Sequence, residues 1–84
     1  AEFEMKIEIL DKAIKDLKKI DKIQAKKILN SISNLEQYPD IANIKKLTNY
    51  NPTHRLRVGN YRVLFNIEND VIVVNRIKHR KDAY

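Results

Sequence analysis

The sequence predicts an α+β domain of order β-α-α-β-β-β, with an N-terminal helical hairpin packed on one face of a mainly antiparallel sheet. Three observations lead there. Between Ala13 and Leu35 apolar residues recur at spacings of three and four, the period of a helix face. From His54 onward the runs between turns are rich in β-branched and aromatic residues, the composition of strands. Gly59-Asn60 separates two of these runs and reads as a two-residue reversal with glycine first, the choice of a type II′ turn.

The elements follow in order. Lys6 to Leu10 alternates, with Ile7 and Ile9 on one side, and reads as a short strand. Asp11 stands where an N-cap is expected, and Ala13, Ile14, Leu17 and Ile20 form the apolar stripe of the helix that follows. Lys12, Lys15, Lys18 and Lys19 lie mostly off that stripe. A second helix begins near Asp21, carries Ala25, Ile28, Leu29, Ile32 and Leu35, and ends near Tyr38 because a residue before proline is biased out of the helical region. Residues 40–52 read as a polar connection that turns Ile41, Ile44 and Leu47 toward the core. Three strands close the chain: His54–Val58, Tyr61–Ile67 and Val71–Lys78.

Composition narrows the class. Eighty-four residues make one domain. Cysteine is absent, so neither a disulfide nor a thiolate metal site holds the fold, in keeping with a cytoplasmic setting. No apolar run approaches the roughly 18 residues of a membrane span, and no signal-peptide core is present. Residues 1–4 precede Met5 and read as a cloning remnant, which leaves residues 5–84 as the domain. The formal charge is +6, and setting aside Glu2 and Glu4 raises it to +8. On so small a domain that charge points to an anionic partner.

The register of the strands says where the charge gathers. A two-residue loop at Gly59-Asn60 sets Val58 opposite Tyr61 and Arg57 opposite Arg62. A three-residue loop at Glu68–Asp70 then sets Ile67 opposite Val71 and Arg62 opposite Arg76. Leu56, Val58, Tyr61, Val63, Phe65, Ile67, Val71, Val73 and Ile77 would share the helix-covered face. Arg55, Arg57, Arg62, Arg76 and Lys78 would share the other, with Arg57, Arg62 and Arg76 in one row across three strands. The position of Arg76 hangs on that loop, since a two-residue reversal would turn it over. Like charges opposite one another destabilise a sheet, and guanidinium groups match phosphate oxygens in bidentate fashion. A phosphodiester is the expected guest.

The tail His79-Arg80-Lys81-Asp82-Ala83-Tyr84 adds chemistry. His79 adjoins the row, and histidine is the side chain suited to proton transfer near neutrality. His54 is a weaker candidate. Tyr84 offers a ring on which a base can stack. The sequence has no phosphate-binding glycine loop, metal-ligand cluster or nucleophilic serine setting, so no metal and no other cofactor is expected. RNA cleavage needs none, because the adjacent 2′-OH can attack the phosphorus. On this reading His79 is the base, Arg62 and Arg76 stabilise the developing charge, and Tyr84 completes the catalytic set. Arg55, Arg57, Lys78 and Arg80 bind RNA.

The segments H-R-L-R-V-G-N-Y-R-V-L-F at 54–65 and N-R-I-K-H-R-K-D-A-Y at 75–84 resemble the RelE/ParE superfamily of type II toxins, and most closely its RelE branch. The resemblance spans residues 5–84. It implies an mRNA interferase that cleaves messages in the ribosomal A site without a metal, with a RelB-like antitoxin, the ribosome and mRNA as partners. It carries Arg55 and Arg57 onto the basic pair before the turn, Arg62 onto the arginine of the YR pair and Tyr84 onto the stacking tyrosine. Arg76, Lys78 and His79 occupy the stretch that holds a catalytic arginine or histidine. The RelE pattern has lysines where Arg55 and Arg57 stand; a lysine can serve as base, whereas arginine stays protonated. Two alternatives share the fold: a ParE-like inhibitor of DNA gyrase, and a non-catalytic homologue that only binds an antitoxin.

Overall fold

A computed structural model describes residues 5–38, 43–47 and 51–82. Strand β1 (Lys6–Ile9) leads into helix α1 (Asp11–Lys18), helix α2 (Lys22–Ser33) and a 3₁₀ turn (Asn34–Gln37). Strands β2 (Ile44–Lys46), β3 (His54–Val58), β4 (Tyr61–Glu68) and β5 (Val71–His79) complete the chain. The sheet order is β1-β5-β4-β3-β2, with β1 parallel to β5 and the other pairs antiparallel. The α+β architecture expected from the sequence is therefore present, with one strand more.

That strand, β2, lies where a polar connection was expected. Three residues with only Ile44 half-buried carry too little alternation to register as a strand. Ile41 lies outside the described residues. Asp11 is also displaced: it is the first residue of α1, and Leu10 holds the cap position with no side-chain bond. Asp21 does cap α2, accepting from the Gln24 backbone N–H at 3.0 Å. Ile14 and Leu29 were expected in the apolar stripes but are exposed, because each stripe is narrower than the sequence suggests. Ala13, Ile28, Ile32 and Leu35 are buried in the core, with Leu17 and Ile20 packed half-buried against it.

They meet Leu56, Val63, Phe65, Ile72, Val74 and Ile77 from the sheet. The β3–β4 register is the expected one, Arg57 opposite Arg62 and Val58 opposite Tyr61. Gly59 takes φ +58°, which glycine enters without steric penalty. The β4–β5 register differs. Its loop is two residues, Asn69-Asp70, with Glu68 opposite Val71 and Asn69 at φ +55°, a conformation asparagine tolerates better than most residues. Ile72 and Val74 consequently face the helices, whereas Val71 and Val73 face away.

One extra residue restores the rest. Phe65 pairs with Val74 and Leu64 with Arg76, so Asn75 is a β-bulge in β5. Beyond it Val63 faces Ile77 and Arg62 faces Lys78. Arg76 thus keeps the face expected of it but stands one rung further along, and Lys78 takes the place opposite Arg62. Without the bulge, alternation would turn Arg76 and Lys78 inward and Ile77, now 3% exposed, outward. Deleting Asn75 should lower stability by more than about 3 kcal/mol in urea unfolding, from an exposed isoleucine and a buried unpaired charge. A deletion variant as stable as the parent would show that the bulge sets no register.

His54 belongs to this core. It is 9% exposed, stacks on Phe65 at 5.4 Å, meets Tyr38 edge-on at 6.0 Å, and its Nδ1 lies 2.8 Å from Thr53 Oγ1. Burial, aided by the nearby charge of Lys46, pushes its pKa below the ordinary 6.5. The unfolded chain therefore takes up this proton more readily, and stability should fall as pH drops below about 6.5. His54→Phe should flatten that part of the stability profile between pH 7 and 5, read from urea midpoints.

Candidate nucleic-acid interface

The face of the sheet away from the helices is built from two rungs of cations. Arg57, Arg62 and Lys78 occupy the first, in register across β3, β4 and β5. Lys45, Arg55, Leu64 and Arg76 occupy the second, across β2 to β5. Leu64 is 3% exposed between two arginines, whose aliphatic stems can cover an apolar neighbour. The rungs are two residues apart, about 7 Å along a strand.

Arg62 is the centre of the first rung. Its Nη1 donates to the Gly59 carbonyl at 3.0 Å and to the Tyr61 carbonyl at 2.9 Å, so the β3–β4 turn aims the guanidinium. Its pKa is held below the ordinary arginine value, first by burial and then by the charges of Arg57, Arg55 and Arg80. Arg80 is drawn in because its backbone N–H donates to the Asn60 carbonyl at 2.7 Å. That bond folds the tail over the turn.

Arg76 is held differently. Its Nε donates to Asp16 Oδ2 at 2.8 Å and its Nη2 to Asp16 Oδ1 at 3.0 Å. The Ile77 backbone N–H donates to the same Oδ2 at 2.9 Å. β1 pairs with β5 only as far as Val74, and Asp16, from α1, covers the strand edge beyond. Burial alone would raise the Asp16 pKa, but the bonds from Arg76 and Ile77 and the charges of Arg76 and Lys78 outweigh it and hold the carboxyl below 3.8. Asp16–Arg76 is the one ion pair among the described residues. The second arginine that the sequence assigned to charge stabilisation is thus already matched by a carboxylate.

His79 falls on the helix side by alternation, opposite Tyr61, with the two rings edge-to-face at 5.5 Å. Its Nδ1 accepts from the Lys81 backbone N–H at 3.3 Å, so the neutral ring carries its proton on Nε2. It nevertheless lines, with Asp16, Tyr61, Arg76 and Lys78, a cleft of about 370 Å³ that opens around the β5 edge. Tyr84 lies outside the described residues. Of the sequence-derived set, the structure brings Arg55, Arg57, Arg62, Lys78 and Arg80 together. The sequence reading missed Lys45, for want of β2, and Asp16, whose only signal was an acid among the lysines of α1. Among the described residues no three His, Asp or Glu side chains cluster as a metal site, and no helix is long and apolar enough to cross a membrane.

The comparisons with known proteins agree with this architecture. Residues 7–84 match the family model of the ParE toxin of the type II toxin–antitoxin system, parDE. Toxin RelE3 of Methanocaldococcus jannaschii is 33% identical, over 95% of this chain and 96% of its own length. The toxin of the RelB–RelE antitoxin–toxin complex from Methanococcus jannaschii superposes with a TM-score of 0.77 at 30% identity, covering 92% of this chain and 94% of that one. The archaeal RelE–RelB complex from Pyrococcus horikoshii gives 0.73 at 25%, covering 94% and 98%. The fold is that of a type II toxin. The chain belongs to the RelE/ParE superfamily, and its curated relatives and these solved neighbours are RelE proteins.

Asp16 links this site to acid stability. Its carboxyl is depressed in the fold, so its contribution is complete above about pH 4 and is lost as pH falls and the unfolded chain protonates first. Asp16→Asn should lower stability at pH 7 by about 1–3 kcal/mol and flatten the decline below pH 4, as measured by urea unfolding across that range.

Proposed function

We propose that this toxin is a metal-independent endoribonuclease that cleaves mRNA in the ribosomal A site, with Arg57, Arg62 and Lys78 gripping the backbone around the scissile phosphate. The observation that carries the proposal is the in-register cationic rung centred on Arg62. Three cations side by side repel one another, and a bound phosphate converts that repulsion into attraction. Arg55, Arg80 and Lys45 extend the grip. An antitoxin of the RelB kind, the partner seen with the M. jannaschii and P. horikoshii toxins, is the expected regulator.

The acid–base roles change in this geometry. Arginine stays protonated, so Arg55, Arg57 and Arg62 cannot accept the 2′-OH proton. His79 falls by alternation on the helix side of β5, away from the rung centred on Arg62, so the role of base is not rested on it here. The catalytic power of the face therefore rests on holding the phosphate in line and stabilising its added negative charge. Such a site gains most when the message is already ordered, as a ribosome would order it. Tyr84 is assigned here to stacking on a base, on the strength of the family pattern at the chain end.

A second reading is a ParE-like gyrase poison, favoured by the family model that matches residues 7–84. Mapping new 5′ ends on messages in programmed ribosomes separates the two. Cleavage at A-site codons supports the nuclease; intact messages with accumulating DNA breaks would sink it. Arg62→Ala should slow cleavage by about 10²-fold or more while leaving the urea midpoint nearly unchanged.

A further inference from the structure

The cationic face continues past Arg76 into a second cleft of about 370 Å³, between the start of α1 and residues 51–52. That volume is within the range of small-ligand sites. Leu10 and Pro52 are its apolar walls, while Lys12, Arg76, Asn51 and Asn75 line it with polar groups. Asp11 is the one acid among its lining residues.

The orientation of the two asparagines is fixed from outside the cleft. The Thr53 backbone N–H donates to Asn66 Oδ1 at 2.9 Å. A backbone N–H can only donate, so the atom facing it must be the amide oxygen. Asn66 Nδ2 therefore faces the other way and donates to Asn51 Oδ1 and Asn75 Oδ1, each at 3.3 Å. Each oxygen spends a lone pair on Asn66, and the polar atom of Asn51 and of Asn75 that this network leaves wholly unused is Nδ2, a donor. Lys12 and the guanidinium hydrogens that Arg76 does not give to Asp16 add further donors, against the single carboxylate of Asp11. The internal network uses just the two oxygens, a task an aspartate or a serine could perform; the amide nitrogens exceed it.

We propose that this cleft is a base-reading subsite of the RNA interface, taking a keto base, guanine or uracil, in preference to adenine or cytosine. Guanine presents O6 and N7 as acceptors and uracil presents O4, whereas adenine and cytosine place an exocyclic amine, a donor, at the matching position. Single-stranded RNA is read through such exposed base edges. Asn66 is four residues from Arg62 on the same face of β4, about 13 Å away, so the base read belongs to a nucleotide near the scissile phosphate and not to the one at Arg62. The proposal rests on the RNA-cleaving reading given above.

The test is a titration of ¹⁵N-labelled protein with 5′-GMP, UMP, AMP and CMP, following the side-chain amide resonances of Asn51 and Asn75. GMP and UMP should move both, with affinities about fivefold or more above those of AMP and CMP. Asn75→Asp keeps an acceptor toward Asn66 but exchanges the remaining amide donor for a second acceptor. It should abolish or invert the base order, whatever its general repulsion of anions does to absolute affinity. Equal affinities for all four nucleotides, or shifts confined to the Arg57–Arg62 rung, would overturn the proposal. A keto preference alongside uncleaved messages on programmed ribosomes would leave the subsite standing and remove the nuclease.

Discussion

The cationic face depends on how β5 is accommodated at the centre of its neighbours. This strand must bury Ile72 and Val74 against the helices next to β1, and Ile77 against the same helices further along. Strict alternation cannot do both, because 74 and 77 have opposite parity. The bulge at Asn75 resolves the conflict by inserting one residue, and the same step sends Arg76 and Lys78 to the open face. Core packing and cation placement are thus settled by one irregularity. Sliding the register to suit either one would disrupt the other.

The two ends of this arrangement handle charge in opposite ways. Arg76 meets a carboxylate with bidentate geometry, and its charge is matched within the chain. Arg62 instead faces Arg57, Arg55 and Arg80, which press its pKa down after burial has already done so. A surface built for solubility alone would spread like charges apart. Here the β3–β4 turn and the Asn60–Arg80 bond bring them together, and the repulsion is sustained by the cooperativity of the sheet. On the function proposed above, such a concentration of donors would act as a preorganised receptor for an anion, most of the reorganisation having occurred on folding.

Much of this was legible in the sequence, and the reasons differ by element. The β3–β4 hairpin could be read to the residue, since Gly59-Asn60 admits few alternatives and both flanks alternate cleanly. Arg57 and Arg62 follow from it. The β4–β5 hairpin could not, because Asn-Asp is a weaker turn signal than a pair containing glycine, and because a bulge has no signature of its own among β-branched residues. The two omissions partly compensate. A loop one residue shorter turns Arg76 over, and the bulge turns it back one rung away. The partnership of Asp16 with Arg76 was beyond reach for another reason: 60 residues separate them, and only the packing of α1 on the β5 edge brings them into contact.

Fold alone does not choose between the activities this superfamily carries, so the choice has to come from the site. A gyrase poison needs a surface that fits a protein, and nothing in that task calls for arginines in register across strands. The proposed action on a phosphodiester gives them a task, stabilising the charge that develops on the phosphate. The absence of a proton acceptor among Arg55, Arg57 and Arg62 is compatible with such an enzyme if alignment of the 2′-OH and charge stabilisation supply most of the acceleration. The chain then contributes a rigid anion receptor, and its rate depends on how well the substrate is presented. This division of labour favours a substrate already held by a larger assembly over RNA free in solution.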